Sequence, residues 1–337
     1  MAAPRISVVV VTAARRDDLH RCLDELRRHL AAPDAPSCEV LTVHAPDDDA
    51  AMAMVRAEFP WVALHRAEAR GIGHQRNLGA RAARGEIVAY LDDDAWPCAG
   101  WLRGLSDAFD DAAVLAASGP VWRGDGTRQF GRLAASPLGR IVAVPDGAAT
   151  PTGMSPTFSG CNLAIRRRSL FAVGGFDENL VYQPDDMDVC CRLFAHGGRR
   201  AQSFAYRETV AVHHESSPGP FRRTLQDRAW FTVARDTIYF AFRHAGPLRA
   251  TLAAGPLQLP KFARFAAWLV TGRLGPVAFL RCAAKQAAGI VAGYAKGLWR
   301  APRLPLRPLP THFGATTPPP TARPAPGPGR HRPPQPV

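Results

Sequence analysis

A five-residue apolar run, Ile87-Val88-Ala89-Tyr90-Leu91, stops abruptly at three consecutive carboxylates, Asp92-Asp93-Asp94, with a proline soon after at Pro97. An apolar run of this length bounded by breakers predicts a strand buried on both faces. In open α/β sheets, ligand sites lie just beyond the carboxyl ends of such strands. Three carboxylates there repel one another and resist desolvation unless something positive sits among them. A divalent cation with oxygen ligands, Mn²⁺ or Mg²⁺ shared with a substrate's phosphates, meets that requirement. A blander reading, in which the acids only cap a helix starting near Pro97, needs one Asp and leaves two unexplained.

The chain upstream sets this strand in a repeating pattern. Ile6–Val11 is a continuous apolar and β-branched run, and Arg16–Leu30 carries Leu19, Cys22, Leu23, Leu26 and Leu30 at helical spacing. Val40–Val43, ending at His44, and Trp61–Leu64 predict two more strands. Alternating βα units predict an α/β fold built on a doubly wound, largely parallel sheet. A second acidic triple, Asp47-Asp48-Asp49, precedes the helix-favouring Ala51–Ala57 with no strong strand pointing into it, and so reads as a helix cap. Arg70–Gly85 is a glycine-punctuated turn opening a helix, where Gly71 and Gly73 permit positive φ or close ligand approach. Arg76 and Asn77 fall on its first turn, directed at whatever the following acids bind, and an Arg at a helix start suits a diphosphate.

Downstream, Pro97–Phe109 predicts a helix, Ala113–Trp122 a strand, and the Gly/Pro-rich Arg123–Pro156 an irregular loop, functional or mobile. Thr157–Ile165 predicts a strand in which Gly160 marks close backbone approach by a ligand. After a helix over Arg166–Val173 and a G-G-F-D-E turn, Gln183–Phe194 predicts a helix with Asp185, Asp186 and Asp188 crowding its first turn. Thr209–Val212 predicts a last strand that ends in His213-His214-Glu215, two histidines placed at a strand end as the first acids are.

The net charge of +13 is confined to one end, since no Asp or Glu follows Asp236 while residues 237–337 hold 14 Lys and Arg. The first 236 residues are near neutral, 28 basic against 29 acidic, so the excess belongs to a C-terminal attachment. Seven scattered cysteines without a C-x-x-C argue against disulfides or zinc and for a reducing compartment. With no leader expected at M-A-A-P-R and no apolar segment near about 20 residues, the expectation is a cytoplasmic protein, peripheral on the inner face of the plasma membrane. Residues 258–300 predict two helices broken near Gly275-Pro276. In the second, Leu280, Ala284, Ala287, Val291, Tyr294 and Leu298 make an apolar stripe, with Arg281, Lys285, Lys296 and Arg300 nearly opposite. Such a helix suits either an anionic membrane interface or docking on the preceding domain. Residues 302–337 are Pro-rich and predict disorder.

In this order, the motifs resemble those of family 2 glycosyltransferases with the GT-A fold, over roughly residues 5 to 245. L-D-D-D-A-W-P resembles the family's D-x-D element, and R-G-I-G-H-Q-R-N-L-G-A-R its Arg-Asn helix. S-G-C-N-L-A-I-R-R, G-G-F-D-E, P-D-D-M-D and V-A-V-H-H-E-S-S resemble the acceptor-side elements, and W-F-T-V-A-R-D-T-I-Y-F the helix that follows the catalytic domain. The resemblance implies a mixed, largely parallel sheet flanked by helices over residues 1–245, and the composition beyond it predicts a basic amphipathic helical extension over 246–301 and a Pro-rich tail over 302–337. It implies that Asp92 and Asp94 hold a Mn²⁺ or Mg²⁺ ion and the donor, with Asp93 beside them, and that His213, or less favourably His214, completes the metal site. Asp186 falls on the catalytic base, with Gly160, Asn162 and Asp185 on the acceptor side. Thr12, Arg15 and His44 fall in the nucleotide pocket and depart from the family pattern, which has Pro-Thr-x-Asn after the first strand and Asp at the end of the second. The implied activity is inverting transfer of a hexosyl or deoxyhexosyl unit from a nucleotide sugar to a hydroxyl acceptor, and the basic amphipathic tail points to a glycan or lipid-linked acceptor of the cell envelope.

Two other classes fit the sequence less well. A sugar-phosphate nucleotidyltransferase needs a glycine-rich, basic loop after the first strand, and Thr12–Arg16 has the charge without the glycines. A non-catalytic nucleic-acid or lipid-binding protein would interleave basic and aromatic residues on a folded surface, whereas these charges lie on one helix stripe and a proline tail. Nucleic acid is therefore not an expected partner.

Overall fold

The computed structural model describes residues 3–181, 184–215 and 229–300. Gln183, the Ser216-Ser217 end of the histidine motif and the tail over 302–337 lie outside the described residues. Three strand–helix units open the chain: β1 (Ile6–Thr12) with α1 (Arg16–Leu30), β2 (Cys38–His44) with α2 (Asp49–Glu58), and β3 (Ala63–Arg66) with α3 (Ile72–Ala82). They lead into β4 (Ile87–Asp92). β1 pairs in parallel with β2 and β4, and β2 with β3. Both faces of β1 are covered, which is why it reads as an unbroken apolar run. Val8 and Val10 face one apolar layer with Leu19, Leu23 and Trp101, whereas Val9 and Val11 face the other with Leu170, Val189 and Leu193.

Past Asp92 the chain turns into a short β5 (Ala95–Pro97), and α4 (Trp101–Ala108) starts only after Gly100, at φ 81°. The strand expected over Ala113–Trp122 is split at Gly119-Pro120 into β6 (Ala116–Ser118) and β7 (Val121–Trp122). The stretch expected to be irregular contains β8 (Arg128–Phe130), β9 (Leu133–Ala135) and β10 (Ile141–Ala143), and runs into β11 (Ser155–Thr157). Strands of three residues are too short to show a period of two. The expected strand over Thr157–Ile165 is broken by a 3₁₀ turn at Gly160–Asn162, so that β12 is Leu163–Arg166. Then follow α5 (Arg167–Ala172), α6 (Asp185–His196), β13 (Phe204–Tyr206) and β14 (Val212–His214).

The central sheet has the order β13-β6-β12-β4-β1-β2-β3, and β12 runs antiparallel to both of its neighbours. It is a mixed, largely parallel sheet, as expected. A second sheet, β5-β14-β7-β8, sets His214 opposite Ala95, immediately after the acidic turn. The second acidic triple does not cap α2 through its side chains. Asp48 stands at the cap position but binds Nδ1 of His44 at 3.0 Å, while Asp49 pairs with Arg66 and Asp47 with Arg70.

The C-terminal helices are α7 (Trp230–Ala245), α8 (Pro247–Ala253), α9 (Leu259–Val270) and α10 (Pro276–Arg300). No helix among the described residues is long and apolar enough to cross a membrane. Of the apolar stripe on α10, for which docking on the preceding domain is one of two readings, Leu280, Val291 and Leu298 face outward, exposed by 64%, 69% and 59%, while Tyr294 packs against Phe242. The buried face carries Ala278, Cys282, Gln286 and three glycines, Gly289, Gly293 and Gly297. A Cβ at Gly293 would come within 2.8 Å of Ile238 Cβ and 2.9 Å of the Arg235 carbonyl on α7. Small side chains let two helix backbones approach closely, and that requirement outweighs the larger apolar stripe.

α7 is tied to the sheet domain by buried charges. Arg243, fully buried, pairs with Asp177 and sets Nε 2.8 Å from Asp188, which also accepts from Arg192 and contacts His244 at 2.8 Å. Burial pushes the Asp188 carboxyl upward, but Arg192, Arg243 and His244 overcome it and hold it well below the usual range. Arg243→Ala should therefore lower unfolding stability by about 3–5 kcal/mol, the range for stripping one partner from a buried pair. Equilibrium denaturation measures this, and a change near zero would show that the pairs add nothing net.

Candidate active site

The site begins where β1 and β4 end side by side, Val11 opposite Asp92. Asp93 turns inward, where the Thr12 hydroxyl donates to it at 2.7 Å and Arg15 Nη1 lies 3.0 Å away. Burial drives the Asp93 carboxyl up to about 7, with Arg15 opposing and Asp94 adding to the rise. The same Arg15 nitrogen lies 2.6 Å from Asp94. Thr12, Arg15 and Asp93 thus form one buried knot that holds the acidic turn, and Arg15 stays a quarter exposed at its rim.

Asp92, Asp94 and His214 bring one ligand atom each to within 4.8 Å of one another. His214 Nε2 stands 3.2 Å from Asp94. Its Nδ1 lies 3.1 Å from Gln129 Oε1, an acceptor that receives the Nδ1 hydrogen bond and so turns Nε2 toward the acids. Two carboxylates and one imidazole fit Mn²⁺ or Mg²⁺. The preference for His213 is corrected here by strand alternation: adjacent side chains on β14 point to opposite faces. His213 stacks on Trp96, ring centroids 5.8 Å apart, and the cluster is formed with His214.

Arg76 links this cluster to α6. Buried to 2% exposure, it pairs through Nη1 with Asp185 at 2.5 Å and through Nη2 with Asp92 at 3.1 Å. A Cβ on Gly160 would collide with that guanidinium, so the close approach signalled by the glycine is made by Arg76. Burial raises the Asp185 carboxyl to about 7 against the pull of Arg76. Asp186 is also raised, chiefly by burial, with Arg76 and the N–H groups of Gly160 and Met187 opposing. Gly160 N–H donates to Asp186 at 2.9 Å. Asp185 is spent on Arg76, whereas Asp186 is only partly buried, its two oxygens accepting from the N–H groups of Gly160 and Met187.

Other expected contacts turn inward. Asn77 donates to the Phe176 carbonyl at 2.9 Å and to Glu178 at 2.8 Å, and accepts from Phe176 N–H, so it clamps the G-G-F-D-E turn and does not face the acids. His44 is fully buried between Asp48 and Thr42. Asn162 accepts from the Trp101 indole at 3.0 Å and donates to the Val210 carbonyl at 2.7 Å, deep in the sheet. Gln129, which orients His214, was hidden in the stretch expected to be irregular, where no pattern marked it.

Residues 7–173 match the model described as glycosyl transferase family 2. The chain is 27% identical over 318 residues to the pre-mycofactocin glycosyltransferase of Mycobacterium tuberculosis (strain ATCC 25618 / H37Rv), covering 88% of this chain and 62% of that protein. It is 26% identical over 162 residues to the glucosyl-dolichyl phosphate glucuronosyltransferase of Haloferax volcanii, covering 46% of this chain and 51% of that protein. The chain thus spans less than two thirds of the length of these curated relatives. Among solved structures, the mannosyltransferase PcManGT from Pyrobaculum calidifontis, in complex with GDP-Man and Mn²⁺, aligns at TM-score 0.52 and 19% identity over 89% of this chain and 88% of that one. S. aureus TarS 1-349 aligns at TM-score 0.50 and 15% identity over 87% and 90%. These two likenesses show the fold, GT-A, and residues 7–173 form a domain that matches glycosyl transferase family 2.

Proposed function

We propose that the protein is a metal-dependent, inverting hexosyl- or deoxyhexosyltransferase. It moves a sugar from a nucleoside diphosphate donor to a hydroxyl of a glycan or lipid-linked acceptor of the cell envelope, at the inner face of the membrane. The observation that carries the reading is the meeting of Asp92, Asp94 and His214, joined through Arg76 to the Asp185-Asp186 pair. Asp92, Asp94 and His214 would hold Mn²⁺ or Mg²⁺, which when bound supplies Lewis-acid stabilisation of the departing diphosphate. Asp186, partly exposed and raised above the usual carboxylate range, would take the proton of the acceptor hydroxyl as that oxygen bonds to the anomeric carbon. The anomeric C–O bond to the diphosphate breaks as the new bond forms on the opposite face. Thr12 and Asp93 would hold the acidic turn in shape, and Arg15 would offer a cation at the rim.

The relatives support sugar transfer, and the name of one carries a dolichyl phosphate, which supports a lipid-linked acceptor. A panel of nucleotide sugars with Mn²⁺ or Mg²⁺, scored for nucleoside diphosphate release and for donor binding, tests the reading. Metal-dependent release from one donor class is expected. If no donor is bound or cleaved in a metal-dependent way, the reading fails.

A further inference from the structure

We infer that the outward face of α8 to α10 is a docking surface for an anionic lipid bilayer. The inference locates the membrane contact that the proposed function needs, and its test is independent of that function. On α10, Val277, Leu280, Val291 and Leu298 are 63%, 64%, 69% and 59% exposed and recur along one face at helical spacing. Leu248 and Leu252 on α8 are 72% and 69% exposed at a spacing of four. This side is not turned toward the protein, because the glycine face of α10 makes the contact with α7. Contiguous exposed apolar side chains rimmed by polar residues mark an interaction site.

Charge selects the partner. After Asp236 the sequence holds no carboxylate, and Arg249, Arg264, Arg273 and Arg281 are all exposed on these helices and the turn between them. A second copy of the chain in a two-fold contact would set like charges against like. Nucleic acid would satisfy the arginines and leave the leucines in water. An anionic bilayer satisfies both, taking the apolar side chains into the acyl boundary and pairing the arginines with headgroups. Trp299, 87% exposed at the end of α10, is a residue type favoured at that boundary. Since no described helix is long and apolar enough to cross, the helices would lie on the surface. α7 then couples the docked helices to α6 through Arg243, His244 and Asp188, two residues after Asp186. A lipid-linked acceptor would thereby be met from a fixed direction.

The test is co-sedimentation of the full chain with phosphatidylcholine vesicles and with vesicles containing phosphatidylglycerol, without metal or donor. Binding is expected only to the anionic vesicles and should weaken with salt. L280S/V291S and R273Q/R281Q, all at exposed positions, should each reduce it about tenfold or more. Absence of binding to anionic vesicles, or equal binding by L280S/V291S, overturns the inference. So does a concentration-dependent dimer in sedimentation velocity that L280S/V291S abolishes, which would assign the face to a second copy. A failed donor panel with intact vesicle binding would count against the proposed function alone.

Discussion

Asp94→Asn is expected to reduce sugar transfer about 10³-fold or more, with divalent-cation binding falling in parallel. The substitution keeps the shape of a side chain that is 2% exposed and removes its charge. Asp94 is the member of the cluster that touches both His214, at 3.2 Å, and Arg15, at 2.6 Å. With its charge gone, Arg15 loses the closer of its two carboxylate contacts and keeps Asp93 at 3.0 Å, and an ion would retain one carboxylate and one imidazole. Each factor of ten in rate corresponds to about 1.4 kcal/mol, so the expected loss is of the size of a single metal ligand. Mn²⁺ titration followed by electron paramagnetic resonance, without donor, reads the site apart from turnover. His214→Ala should weaken Mn²⁺ binding in the same titration, and His213→Ala should leave it unchanged. Equal Mn²⁺ affinity in wild type and Asp94→Asn would remove Asp94 from the proposed ligand set.

The contrast between His213 and His214 shows where reading residues in order stops short. The strand, the acids and the histidine pair were visible because each is a local pattern of residue types. Which histidine faces the acids depends on the register of β14 against β5, three residues each, and no local pattern encodes that. The βα alternation to Leu91 was visible because strands covered on both faces must be apolar throughout. The strands between Arg123 and Pro156 were not, since three residues among glycines and prolines carry no periodicity. Asn77, His44 and Asn162 carry polar groups suited to a ligand, and the structure uses them on protein partners instead. Gly160 gave a true signal of close approach with the wrong partner, because Arg76 lies 84 positions away in sequence and meets it only in the fold. On α10 the larger apolar stripe drew attention, yet the glycines at 289, 293 and 297 made the contact.

Asp186→Asn is expected to lower kcat by about 10²–10⁴-fold while leaving donor and metal binding intact, the range for losing a positioned general base. The two neighbouring carboxyls separate by environment. Asp185 is buried against Arg76, whereas Asp186 accepts from the Gly160 and Met187 N–H groups and is partly exposed. A base must be deprotonated, and the Asp186 carboxyl is held above the usual range by burial. Wild-type kcat should therefore rise with pH through that raised value, on an acid limb that Asp186→Asn lacks. The linked effect on stability has the opposite sense. A carboxyl with a raised folded pKa binds more protons folded than unfolded above the unfolded value of about 3.9, so its contribution weakens as pH rises through the folded value. Asp186→Asn removes that penalty and should leave the protein at least as stable near neutral pH, which separates a lost base from a lost fold. A variant that unfolds, or that loses donor affinity along with kcat, would assign Asp186 to holding the Gly160 turn and the donor. Retained kcat would leave the proton to another group.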